Sequence, residues 1–176
     1  MDNKKSQVWV ETAIYTLIGL TIIAIVLSIA LPQIDKIKDR EIVKQTTHVL
    51  NTLNSKIIET EQSPGSIRIV QFKLGKGRLE IDSENNVLKY SLEKTRLKLS
   101  EPGEDIEEGD LIIRTEEYGK RYNIYLTMDY SDSLNMTVGD EKRKETFASN
   151  VIYRLQIENV GDNAPEENIH INFNVL

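Results

Sequence analysis

Apolar and polar positions fall into three successive regimes along this chain. Between Thr12 and Leu31 the residues read TAIYTLIGLTIIAIVLSIAL without a charge. About twenty such residues, wound as a helix, match the thickness of a hydrocarbon layer, so the run predicts a membrane span. Gly19 and the interspersed Thr and Ser residues do not argue against it, because membrane helices tolerate Gly and return hydroxyl hydrogen bonds to their own backbone. Ser28-Ile29-Ala30 offers the small-x-small pattern of a cleavable secretory signal, but the apolar run is longer than the usual core of such a signal and favours an uncleaved span.

After Pro32 the apolar residues recur at helical spacing. Ile34 and Ile37, then Ile42, Thr46, Val49, Leu50, Leu53 and Ile57 line one face, which predicts an amphipathic extension over 34–62. Pro32 is a place for a kink, and Ser63-Pro64-Gly65 predicts the helix end. From Ser66 the period becomes two. Val70, Phe72 and Leu74; Leu79 and Ile81; Leu88, Tyr90 and Leu92; and Leu97 with Leu99 alternate with polar neighbours as half-buried strands do. Further strands are expected near Leu111 and Tyr122. Val151, Tyr153, Leu155 and Ile157 with Ile169, Ile171, Phe173 and Val175 predict a closing hairpin. The 82–86 segment reads as a hairpin loop, and the acidic run after Ser100 as a solvated excursion.

These regimes predict an α+β fold. A long N-terminal helix, 7–62, carries a membrane span at about 12–31 and docks its second half on a head. That head, 66–176, holds seven or eight short antiparallel strands in a sandwich or a curled sheet. Composition adjusts this picture little. The 176 residues suffice for one compact domain and an appendage. A net charge of -6 and 6% aromatic residues do not indicate a nucleic-acid binder. The absence of cysteine removes disulfides, thiolate metal sites and cysteine nucleophiles together.

Catalytic material is sparse. His48 and His170 are the two histidines, one on the helix and one in a strand, too few for a histidine-based metal site or triad. Asp82, Glu84, Asn85 and Asn86 resemble a calcium loop in composition, and Asp129, Asp132 and Asp140 are acids that a fold can bring together. Neither set has EF-hand spacing, and polar turns explain both. Gly75 and Gly77 around Lys76 read as a turn. Asn135-Met136-Thr137 is a glycosylation sequon, usable if it lies in an exposed loop. No catalytic residue, metal or cofactor is expected.

The stretch ahead of the span, Lys4-Lys5-Ser6-Gln7-Val8-Trp9-Val10-Glu11, resembles the class III signal peptide of type IV prepilins and archaeal pilin-like proteins. There a short basic leader ends in a small residue and an apolar helix follows. The resemblance implies a leader of residues 1–6, cleavage between Ser6 and Gln7, and a mature chain whose fifth residue is Glu11, where many pilins carry their single acid. A carboxylate in an apolar helix costs about 2 to 3 kcal/mol at mid-membrane and less near the interface. The family supplies a reason for it: the new ammonium of Gln7 pairs with the glutamate of a neighbouring subunit and fixes register. Before assembly, Glu11 sits at headgroup level beside an interfacial Trp9, and the register role belongs to the assembled state.

The implied partners are a prepilin peptidase, an assembly ATPase with its platform protein, the bilayer before assembly, and further copies in a helical filament. No nucleic acid is expected, although a DNA-uptake filament is one member of the class. The N-terminus would be cytoplasmic and the head extracytoplasmic. That orientation follows from the resemblance, because Lys4 and Lys5 before the span are outnumbered by Lys36, Lys38, Arg40 and Lys44 after it. The residues themselves also accommodate a second reading, a monomeric single-pass anchor carrying an extracytoplasmic binding module.

Overall fold

The computed structural model of the chain describes residues 3–161 and 168–176, with side chains from Val8 onward. One helix is followed by ten strands. Helix α1 runs Asn3–Glu61; β1 to β10 run Ile67–Lys73, Arg78–Asp82, Val87–Thr95, Asp105–Glu108, Leu111–Tyr118, Arg121–Asp129, Leu134–Val138, Lys144–Ala148, Ile152–Gly161 and Ile169–Val175. The expected α+β class holds: a long apolar N-terminal helix followed by mainly antiparallel sheets. Two compact units divide the chain, Met1–Lys38 and Asp39–Leu176, and α1 contributes to both.

Within the second unit the strands form two sheets. One has the order β1-β9-β10-β7, the other β4-β5-β6-β3-β2-β8. Both sheets bury their inner faces with the second half of α1 in one core. Leu50, Leu53 and Ile57 of the helix, Leu79, Tyr90 and Leu126 of the larger sheet, and Leu155, Ile171 and Phe173 of the smaller are all fully buried. The anticipated closing pair is present, β9 lying antiparallel to β10 with Phe173 opposite Ile157. The loop assigned between them falls largely on 162–167, outside the described residues.

Tertiary structure corrects the sequence reading in four places. The helical stripe does not reach Ile34 and Ile37, which are exposed; within the second unit it comprises Asp39, Val43, Thr46, Leu50, Leu53, Asn54, Ile57 and Thr60. Periodicity had named Ile42 and missed Val43, and it cannot see polar residues that a sheet covers. Second, the expected strand at Leu97 and Leu99 is irregular chain. There the hydroxyls of Thr95 and Thr115 accept the N–H groups of Leu97 and Ser100 at 2.9 and 3.0 Å, doing what a neighbouring strand would do. Third, the acidic excursion contains a strand, β4, which borders its sheet with all four residues exposed and so shows no alternation. Fourth, β7 runs parallel to β10, so the smaller sheet is mixed.

The helix stops at Glu61 for reasons spread over distant sequence. Its last carbonyls need partners. Buried Asn159 donates its amide to the oxygens of Thr60 and Glu61 at 3.0 and 3.2 Å, and the Ser66 hydroxyl adds a bond to Thr60 at 2.7 Å. Gly65, at φ 76, then turns the chain into β1.

Candidate functional site

Two regions carry the candidate chemistry, and they are built differently. In the first unit the side chains of 8–31 are apolar on every side of α1 and almost all exposed, from Val8 at 61% and Trp9 at 79% to Leu31 at 57%. Among the described residues the unit is a single helix, so nothing else in it covers them. α1 is long and apolar enough to cross a membrane. Thr12, Thr16 and Thr21 each donate to the carbonyl four residues earlier at 2.8 to 2.9 Å, so these hydroxyls need no outside partner. Glu11 interrupts this surface as an exposed carboxylate with no ion pair among the described residues. The backbone of Ser6 and Gln7 belongs to α1, but their side chains lie outside the described set, as do Met1 and Asp2. Thr12 and Leu31, the expected limits of the span, are both exposed helical residues.

In the second unit, polar residues fasten helix to sheet. Asp39 is 5% exposed. It accepts from Lys76 Nζ at 2.7 Å and from the buried Thr95 hydroxyl at 2.5 Å, joining α1 to the β1–β2 loop and to β3 at once. That loop is shaped to arrive there. Gly77 sits at φ 79, and a Cβ on it would lie 2.5 Å from the Ser91 carbonyl oxygen and 2.6 Å from the Tyr90 hydroxyl. Tyr90 in turn donates to the Lys76 carbonyl at 2.7 Å. Burial, against a weaker opposing bond from Thr46, pushes the Tyr90 phenol up to about 12. The Gly75-Lys76-Gly77 turn therefore has a structural role that its sequence did not announce.

Farther along the helix, Asn54 donates to Asp110 at 2.8 Å and accepts from Tyr130 at 2.9 Å. A cleft of about 390 Å³ opens beside it, bordered by Glu61, Glu107, Asp110 and Asp129. Burial raises the Glu61 carboxyl above its usual range. Among the described residues no three His, Cys, Asp or Glu side chains are arranged to hold a metal ion.

The acidic loops resolve into turns. Asp82 accepts the N–H groups of Glu84 and Asn85 at 3.1 and 3.2 Å, the Asn85 amide at 2.8 Å and Lys144 Nζ at 2.7 Å. Its burial alone would raise the carboxyl, but Lys144 and Asn85 outweigh that and hold it below the ordinary value. Asp129 accepts from the Ser131 N–H, whereas Asp140 accepts from the Asn172 amide at 2.7 Å, so the two serve separate turns. Asp132 is exposed beside the first of these turns. His48 is exposed on α1, and His170 Nε2 lies 2.8 Å from the Thr137 hydroxyl.

The sequon is not in a loop. Asn135 lies half-buried in β7, Met136 is fully buried, and the Thr137 hydroxyl is bonded to Asn172 Oδ1 at 3.0 Å. The exposed loop that would make the sequon usable is absent at Asn135, since β7 borders the smaller sheet and pairs with β10. Comparison of the chain with protein-family models, with curated proteins and with solved structures returned no match. What fold and geometry define is therefore a class: an α+β protein whose apolar N-terminal helix is compatible with a membrane anchor.

Proposed function

We propose that this chain is the structural subunit of a type IV pilus-like or pseudopilus filament. In this reading it enters the membrane as a prepilin, with the N-terminus cytoplasmic and the head extracytoplasmic. A prepilin peptidase cuts between Ser6 and Gln7, and an assembly ATPase with its platform protein draws the subunit out of the bilayer. One observation carries the reading. The helix exposes apolar side chains all round over 8–31 and bears a single carboxylate, Glu11, while the rest of the chain closes its own core.

Such a surface has two suitable environments, lipid and other helices of the same kind. Leaving lipid for sister helices gains packing and polar pairing rather than water exclusion. Glu11 then acts through a partner. A carboxylate in that setting is costly alone, and pairing with the Gln7 ammonium of a neighbour offsets the cost while selecting one alignment of the helices.

The test is the mature N-terminus and what the protein forms. Mass spectrometry of protein from its native membrane should give a chain starting at Gln7, and electron microscopy should show filaments. Glu11→Gln should lower filament yield on the order of tenfold, the loss of one buried charge pairing, with head melting unchanged. A chain that keeps Met1 and stays single in filament-forming cells would instead favour a monomeric anchored binding module.

A further inference from the structure

The head of the second unit is polarised along the axis of its own helix segment. Asp39, the first residue of that unit, binds Lys76 and Thr95 and so marks one end. Thr95 pairs with Tyr122, and Tyr118 pairs with Arg121, which places the 118–121 hairpin tip at the same end. Lys73 pairs with Ile152 just before the Gly75-Lys76 turn and lies there too. Asn54 is about 22 Å farther along the helix at 1.5 Å per residue, and its partners Asp110 and Tyr130 mark the opposite end.

Charge divides between these ends. Lys73, Lys94, Arg96, Lys120 and Arg121 are exposed at the Asp39 end, and none of them joins an ion pair among the described residues. Of the carboxylates there, Asp39 is engaged by Lys76 and Glu93 by Arg78, which leaves Glu41 and Glu117 against the five cations. At the other end Glu61, Glu107, Asp110 and Asp129 gather around one cleft, while the cations there are engaged, Lys144 by Asp82, Arg68 by Glu59, and Lys142 by the Ser83 carbonyl and the Asn86 amide oxygen. The basic end also exposes amphipathic and apolar groups. Tyr118 is 55% exposed with Lys94 Nζ 5.5 Å from its ring centroid, and Ile152 is 62% exposed next to Lys73. Cations mixed with Tyr and a few aliphatic side chains suit the boundary of a bilayer, where one part of a surface is wet and the other oily.

We infer that this basic rim rests on the anionic headgroups of the membrane that α1 crosses. The inference depends on 12–31 being a span, but not on filament assembly. Chain length brings the rim within range. Only eight residues lead from Leu31 to Asp39, so the head is tethered beside the bilayer surface, where a charged layer is felt over about 8 to 10 Å at physiological salt. Anionic lipid attracts each nearby Lys or Arg, so four or five of them favour a seated head over a free one. The acidic end is repelled by the same field, which selects one seating.

The test uses the full chain reconstituted in vesicles. Because the native sequence lacks cysteine, a fluorophore can be placed at Ala148→Cys on the rim or at Asp132→Cys on the far end. In phosphatidylcholine vesicles containing phosphatidylglycerol, nitroxide-headgroup lipid should quench the rim label at least several-fold more than the far label. High salt, or the variant K94Q/R96Q/K120Q/R121Q, should reduce rim quenching to the level seen in pure phosphatidylcholine. Equal quenching with and without phosphatidylglycerol overturns the inference, as does quenching of both labels alike or indifference to the quadruple variant. Shielding that appears only when many copies share a vesicle makes the rim an interface between copies and equally overturns it. Failure of the chain to float with vesicles at all is a different outcome, which removes the span itself. The substituted residues are exposed, and an unchanged melting curve shows that the variant has kept its fold.

Discussion

The two stretches of α1 are covalently one helix, yet opposite rules govern them. Over 8–31 the apolar residues occupy every side and no protein covers them. Over Asp39 to Glu61 the apolar residues form a stripe, and Leu50, Leu53 and Ile57 on it are completely buried under two sheets. A stripe identifies a helix that packs on one partner, whereas a cylinder of apolar residues identifies one that must be surrounded. Side-chain truncation should therefore have different consequences in the two stretches, with the solvent supplying the missing partner in one and protein in the other.

The largest expected contrast is Leu53→Ala against Leu20→Ala in detergent-solubilised full chain. Leu53→Ala leaves a cavity in a closed core and should lower head stability by about 3 kcal/mol, read from denaturant unfolding. Leu20→Ala should leave the same transition where it was, because detergent fills the space at an exposed position. A loss of head stability from Leu20→Ala would erase the distinction.

Asp39→Ala sharpens the boundary between the stretches. It takes two hydrogen bonds from the place where the second stretch begins, and the buried Thr95 hydroxyl loses its carboxylate partner. Because Lys76 is about half exposed and can turn to water, the expected loss is about 2 kcal/mol rather than that of a fully buried pair. Exchange protection of the α1 amides just after Asp39 should fall first, while those near Asn159 stay protected.

The smallest effect is confined to alkaline pH. Tyr90 is fully buried, and its phenol is held at about 12 against an ordinary 10.0. A folded value raised above the unfolded one means that the neutral form is favoured by folding. The contribution is thus complete below pH 10 and disappears as pH rises through about 12. By pH 11 it should amount to about 1 kcal/mol of lost stability. Tyr90→Phe, although less stable at neutral pH for want of its bond to the Lys76 carbonyl, should lack this part of the alkaline decline.

Much of the molecule was legible in sequence because local periodicity and core burial coincide. The uncharged run to Leu31, the stripe through Leu50, Leu53 and Ile57, and the alternation in β6, β9 and β10 all report a local rule that the tertiary structure obeys. The site residues were read unevenly for the same reason. Glu11 stands out as a charge among apolar neighbours. Asp39 does not, since an acid in a charged helical segment looks solvated until Lys76 and Thr95 arrive from 37 and 56 residues away. Asn159 is invisible for the same reason: its amide closes the end of a helix 98 residues upstream.

Sequence by itself determined the helical class of the first third, the alternation of most strands after it and the length of the apolar run, because these are sums over neighbouring residues. Only the tertiary structure decided that β4 and β7 are strands, that the sequon at Asn135 lies in one of them, and that basic and acidic residues collect at opposite ends of the head. Those features depend on which distant strands share an edge or an end, and burial of a common core selects such pairings without leaving a periodic trace in the chain.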